Sequence, residues 1–85
     1  MKELRAYVVI DNDIRFGKPC IEGTRITVGD ILQWLSVGMT EQEILGDFPE
    51  LQKVHIKAAL AFAAYREYEQ KRSWGNIDTN KVINN

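Results

Sequence analysis

The stretch that decides the fold is Thr40-Glu41-Gln42-Glu43-Ile44-Leu45-Gly46-Asp47-Phe48-Pro49-Glu50-Leu51-Gln52-Lys53-Val54-His55. Thr40 and Glu43 have the spacing of a capping box, in which the Thr hydroxyl accepts from the backbone of the fourth residue and the Glu carboxylate reaches back. A helix therefore starts at Thr40, carries Ile44, Leu45 and Phe48 inward, and stops at Pro49, which disfavours the helical conformation in the residue before it. A longer helix follows. From about Leu51 or Gln52 to about Arg72 there is no Gly or Pro, and Ala, Leu, Lys, Glu and Gln dominate.

Upstream, Val28, Ile31, Leu32 and Leu35 recur at helical spacing, with Thr27 as N-cap, Asp30 in the first turn and Gly38 where a left-handed residue would end the helix. Three helices with a short turn between the second and third give the spacing of a helix-turn-helix. Before them, Tyr7-Val8-Val9-Ile10 reads as a short strand ended by Asp11-Asn12-Asp13, and Cys20-Ile21 and Arg25-Ile26 read as extended pieces around a turn at Glu22-Gly23. The expected fold is mainly α: a three-helix, helix-turn-helix-like bundle with a short N-terminal β element, over residues 1–72. Residues 73–85 are polar and without period. They read as a mobile tail with apolar anchors at Trp74, Ile77, Val82 and Ile83, offered to a protein partner.

The chain has 85 residues, 45% hydrophobic and 27% charged, which is the balance of one small globular domain. Eleven basic side chains stand against twelve acidic ones, so no global positive field draws in nucleic acid. The charge is uneven, with 5 basic and 8 acidic groups in residues 1–47 and 6 against 4 in residues 48–85. A nucleic-acid surface would belong to the second half. Its candidates are Gln52, Lys53, His55 and Lys57 at the start of the third helix, where lysines oppose the helix dipole unless an anion is bound.

The third helix carries two apolar stripes. Val54, Ala58, Ala61, Phe62 and Tyr65 line one; Ile56, Leu60 and Ala63 line the other and are expected at a homodimer interface, since a chain this short buries little of its surface alone. Cys20 has no disulfide partner, His55 is the sole histidine, and neither a metal site nor a cofactor site is expected. Cys20 and His55 could form a nucleophile and base only if the fold brought them together, and no acid stands ready to orient the histidine, so no enzyme activity is expected. The apolar run Ala6–Ile10 is too short for a secretory signal and no run is long enough to span a membrane; the expected location is the cytoplasm.

Gly17-Lys18-Pro19-Cys20-Ile21-Glu22-Gly23-Thr24-Arg25-Ile26-Thr27-Val28, with Ile31-Leu32, Gly38-Met39-Thr40, Glu43-Ile44-Leu45 and Phe48-Pro49-Glu50-Leu51, resembles the bacterial and archaeal family called domain of unknown function 433. The resemblance covers about residues 7–65. It implies a helix-turn-helix-like fold with a short N-terminal β element, and an antitoxin of a type II toxin–antitoxin pair that binds a small PIN-like nuclease toxin and operator DNA. The alternative is a protein–protein interaction module that does not touch DNA. Within the motif, Gly17, Pro19, Gly23, Thr24 and Arg25 read as structural. Gly23 suits a turn with positive φ, and Arg25 is expected to tie that turn to a helix carboxylate such as Asp30 or Glu43. Two departures stand out. The family usually has Asp-Pro where Asn12-Asp13 stand, and it opens the third helix with Thr or Ser and acidic residues where this chain has Gln52-Lys53-Val54-His55. Loss of a hydroxyl cap costs about 1 kcal/mol.

Overall fold

A computed structural model describes residues 3–73 of the chain, with side chains through residue 69. The three expected helices are α1 (Val28–Ser36), α2 (Glu41–Asp47) and α3 (Lys53–Ser73). Ser73, read from sequence as the start of the tail, still belongs to α3 and is the last described residue. Trp74, Ile77, Val82 and Ile83 lie outside the described residues.

Both short helices start as their sequences require. Thr27 Oγ1 accepts from Asp30 N at 2.8 Å while Asp30 Oδ2 accepts from Thr27 N at 3.1 Å. Thr40 and Glu43 make the same reciprocal pair at 3.1 and 2.8 Å. α1 ends in a Schellman motif, with Gly38 N donating to Leu35 O and Met39 N to Trp34 O; Gly38 has φ +102°, a conformation that a Cβ would oppose. α2 ends at Phe48, whose ring stacks on Trp34 at 4.2 Å between centroids. The elements thus lock together at their ends.

The β element is smaller than the sequence suggests. β1 (Val8–Val9) pairs antiparallel with β2 (Cys20–Ile21), Val8 opposite Ile21 and Val9 opposite Cys20. Tyr7 belongs to a 3₁₀ turn at Leu4–Tyr7 instead of the strand. Arg25-Ile26 forms no named strand; its place beside β2 is kept by the Ile21 N to Ile26 O bond and a bridge between Cys20 and Thr27.

The core is Ile21, Ile26, Val28, Ile31, Ile44, Leu51, Ile56 and Ala59, so every element from β2 onward contributes. Cys20 is buried as well, as a small apolar residue. Among the described residues, no helix is long and apolar enough to cross a membrane.

One expectation about α3 is corrected here. Ile56, read as a dimer-interface residue, is 1% exposed and packs inside the monomer. The core side of α3 runs continuously from Ile56 through Ala59 to Phe62, so the two stripes merge into one broad buried arc. Leu60 stays on the outside, 47% exposed, and Ala63 is half-buried.

Candidate functional site

The motif segment builds a rigid platform. Pro19 O accepts from Val28 N at 2.9 Å, and Thr24 Oγ1 both donates to Ile21 O at 2.9 Å and accepts from Ile26 N at 3.0 Å. Gly23 has φ +75°, as its turn needs. These contacts fix the segment from Pro19 to Val28 onto the start of α1.

The carboxylate tie exists, but a different arginine makes it. Arg15 Nη1 donates to Asp30 Oδ2 at 3.2 Å and to the backbone carbonyl of Arg25 at 2.8 Å, so one guanidinium joins the loop before β2, the turn after it and the capping box of α1. Arg25, expected in that role, is exposed, and its side chain has no hydrogen bond or ion pair among the described residues. The geometry explains the exchange: with the Arg25 carbonyl pointed at the Arg15 guanidinium, its own side chain extends to solvent.

Burial raises the Asp30 pKa, yet the Thr27 backbone N–H, the Arg15 guanidinium and the Thr27 side chain together hold the carboxyl below its ordinary value. A lowered folded-state pKa stabilises the fold fully above the unfolded-state value, about 3.8, and that stabilisation is lost as pH falls through the lowered value. Asp30→Asn should therefore flatten the acid limb of the stability curve below about pH 4, measured by denaturant titration at several pH values.

The Arg15 clamp holds a strained loop. Arg15 and Phe16 have φ of +50° and +59°, and Gly17 follows at +81°. Left-handed backbone costs a non-glycine residue roughly 1–2 kcal/mol. Gly17 suits φ +81°, which side chains rarely adopt, and a Cβ there would also come within 2.9 Å of Asn12 Oδ1 and displace that side chain. Phe16 is the exception to ordinary design, since this strained position carries a ring that is 96% exposed. Lys18, two residues on, is also exposed, as is Arg25, whose carbonyl is held by Arg15, the residue before Phe16. Sequence reading missed Phe16 because a lone Phe among Gly and Pro has no periodicity to betray its side, although its place next to Gly17 was a signal for positive φ.

Of the residues read as a nucleic-acid surface, Gln52, Lys53 and Lys57 are exposed at the start of α3 and His55 is half-buried. His55 has local partners: its Nδ1 accepts from Gln52 N at 2.9 Å, and its ring meets Tyr7 edge-on at 5.4 Å. It is the reaching-back half of a capping box for α3, so Nδ1 is occupied as an acceptor and Nε2 is left as the ring's donor. Gln52 is exposed and fixed through its backbone, Lys53 borders a cleft of about 410 Å³ with Thr40, Glu41, Gln42 and Leu45, and Lys57 is exposed farther along α3. α2 beside them carries Glu41, Glu43 and Asp47 and no basic side chain. Among the described residues, no group of three or more His, Cys, Asp or Glu side chains is arranged to hold a metal ion.

A family model described as protein of unknown function (DUF433) matches residues 8–63, which takes in the platform, the Phe16 loop, α1, α2 and half of α3. The chain belongs to this family. A solved structure of a DUF433 member from Anabaena variabilis superposes with a TM-score of 0.70 at 22% sequence identity, covering 79% of this chain and 66% of that one. The two share a fold, and this DUF433 chain spans just under two thirds of the length of that relative. No curated protein matches it.

Proposed function

We propose that this DUF433 protein is a protein-binding module, the antitoxin of a type II toxin–antitoxin pair, which acts as a homodimer in the cytoplasm and holds a PIN-like nuclease through the Phe16 loop. The observation that carries the reading is Phe16 itself, a large ring held almost fully in water on a backbone conformation it disfavours. Strain and exposed apolar surface together are retained where a site needs them. Aromatic and arginine side chains dominate binding hot spots, and Arg25, exposed and held through its carbonyl by the guanidinium of Arg15, the residue before Phe16, has its own guanidinium available to fork onto a carboxylate. A nuclease offers such carboxylates where it holds its metal ions.

Operator DNA has less to support it. In a helix-turn-helix the helix before the reader crosses the phosphate backbone, and here that helix is acidic. Titration with the protein's own upstream DNA at two salt concentrations should give the same weak affinity for the native chain and for Lys53→Ala/Lys57→Ala. A salt slope that falls by about two units in the variant would instead assign both lysines to phosphates.

The main test is binding to the PIN-like nuclease encoded beside the gene, by calorimetry and by inhibition of RNA or DNA cleavage. Saturable binding with loss of cleavage is expected. Absence of both with a folded nuclease would overturn the antitoxin reading.

A further inference from the structure

The loop between β1 and β2 is hydrogen-bonded to the rest of the protein through one side chain. Among the described residues, Arg15 Nη1 makes the two bonds that leave residues 11–18, to Arg25 O at 2.8 Å and to Asp30 Oδ2 at 3.2 Å. The others stay inside the loop: Asp13 N to Asp11 Oδ1, Ile14 N to Asp11 O, Gly17 N to Ile14 O and Lys18 N to Arg15 O. Ile14 is half-buried but stands outside the apolar cluster of the core. Arg15 and Phe16, both at positive φ, do not keep that shape by local preference. The guanidinium decides two positions at once. It belongs to the residue before Phe16 and grips the backbone of Arg25, so it sets the spacing between the backbone that carries the Phe16 ring and the backbone that carries the Arg25 guanidinium. Asp30 Oδ2 also accepts from Thr27 N, so this strut rests on the capped start of α1. The cap itself does not need Arg15, because Thr27 and Asp30 hold each other through two bonds of their own.

We infer that Arg15 is the positioning residue of the partner-binding loop: its guanidinium holds Phe16 in the displayed conformation at a set spacing from Arg25, ready for a partner surface that pairs an apolar socket with a carboxylate. The inference rests on the protein-binding reading given above and adds to it the residue that organises the site from behind. Arg15 is placed to hold the loop, since its charge is answered by Asp30 and its side chain is 32% exposed, whereas the Phe16 ring stands almost fully in water. A preorganised loop loses little freedom on binding. One that samples several shapes binds with an affinity reduced to the fraction of time spent in the right one. If release of the strut leaves the displayed shape populated about a tenth of the time, affinity falls about tenfold.

The test uses the full chain with Arg15→Met and Asp30→Ala, cuts at the two ends of the strut, each checked for native circular dichroism. In the free protein, backbone order parameters from NMR relaxation at residues 15–18 should be near the rigid value of about 0.85 in the native chain and fall below about 0.6 in Arg15→Met. Asp30→Ala, which leaves the bond to the Arg25 carbonyl, should fall between them. Affinity for the PIN-like nuclease, by calorimetry, should drop about tenfold in Arg15→Met and by a smaller factor in Asp30→Ala, while Arg15→Met melts within a few degrees of the native chain. The two variants separate positioning from charge. Arg15→Met removes a cation and Asp30→Ala an anion, so a charge effect on an acidic partner would move the two affinities in opposite directions, whereas loss of the strut lowers both. Unchanged loop order in Arg15→Met, or affinities that move in opposite directions, would overturn the role of Arg15. A native chain that binds no nuclease overturns the antitoxin reading by itself; loop order in the free variants needs no partner and then decides the strut alone.

Discussion

Phe16→Asn should make the fold more stable and the protein less able to bind. Asn tolerates left-handed backbone better than any other non-glycine residue, so the loop keeps its shape while part of the strain at φ +59° is released. A gain of about 0.5–1 kcal/mol is expected, read as a melting temperature a few degrees higher. Removing a ring that is 96% exposed takes nothing from the core. In partner binding the sign reverses, because truncating an aromatic hot spot costs about 2 kcal/mol or more, a fall in affinity of about thirtyfold. Calorimetry against the nuclease and thermal melts of the free protein measure the two effects on one variant. Opposite signs are the mark of a residue retained for function at the expense of stability. If stability fell and affinity held, Phe16 would belong to the fold and the protein-binding reading would lose its carrying observation.

The reasons sequence reading succeeded or failed are local. Capping boxes at Thr27 and Thr40 and the glycine stop at Gly38 were legible because each is a contact between near neighbours, fixed by spacing alone. The strand at Tyr7–Ile10 was overdrawn since nothing local distinguishes two paired residues from four, and the 3₁₀ turn took Tyr7 to meet His55. Arg15 and Arg25 were both available to Asp30, fifteen and five residues away, and only the direction of the Arg25 carbonyl decides between them. The capping contact of His55 was missed for a related reason. Its charge-bearing neighbours Lys53 and Lys57 suggested an anion, whereas a side chain three residues past Gln52 has a closer use for its lone pair. Local signals gave the elements, then, while the site depended on where side chains from distant segments come to rest.

Ile56 and Leu60 make the sharpest case, because they sit four residues apart on one helix and were read from sequence as one stripe. Four residues advance 400°, so the two side chains point only about 40° apart along α3, and periodicity cannot separate them. Packing does: Ile56 faces the cluster of Ile21, Ile31, Ile44 and Leu51, whereas one turn later the body no longer reaches round to cover Leu60. Ile56→Ala should cost about 2–5 kcal/mol, since a side chain 1% exposed leaves a cavity its neighbours cannot fill. In a domain this small each kcal/mol moves the melting temperature by roughly 4–8 °C, so Ile56→Ala should melt at least about 10 °C lower. Leu60→Ala should change monomer stability by about 0.5 kcal/mol or less while weakening the homodimer proposed above, in which Leu60 would meet the second copy. Melts run across a range of protein concentrations divide the two effects: the loss in Ile56→Ala should be independent of concentration, and that in Leu60→Ala should appear only where the native chain is dimeric. Equal, concentration-independent losses for both would return Leu60 to the monomer core and remove it from the proposed dimer interface.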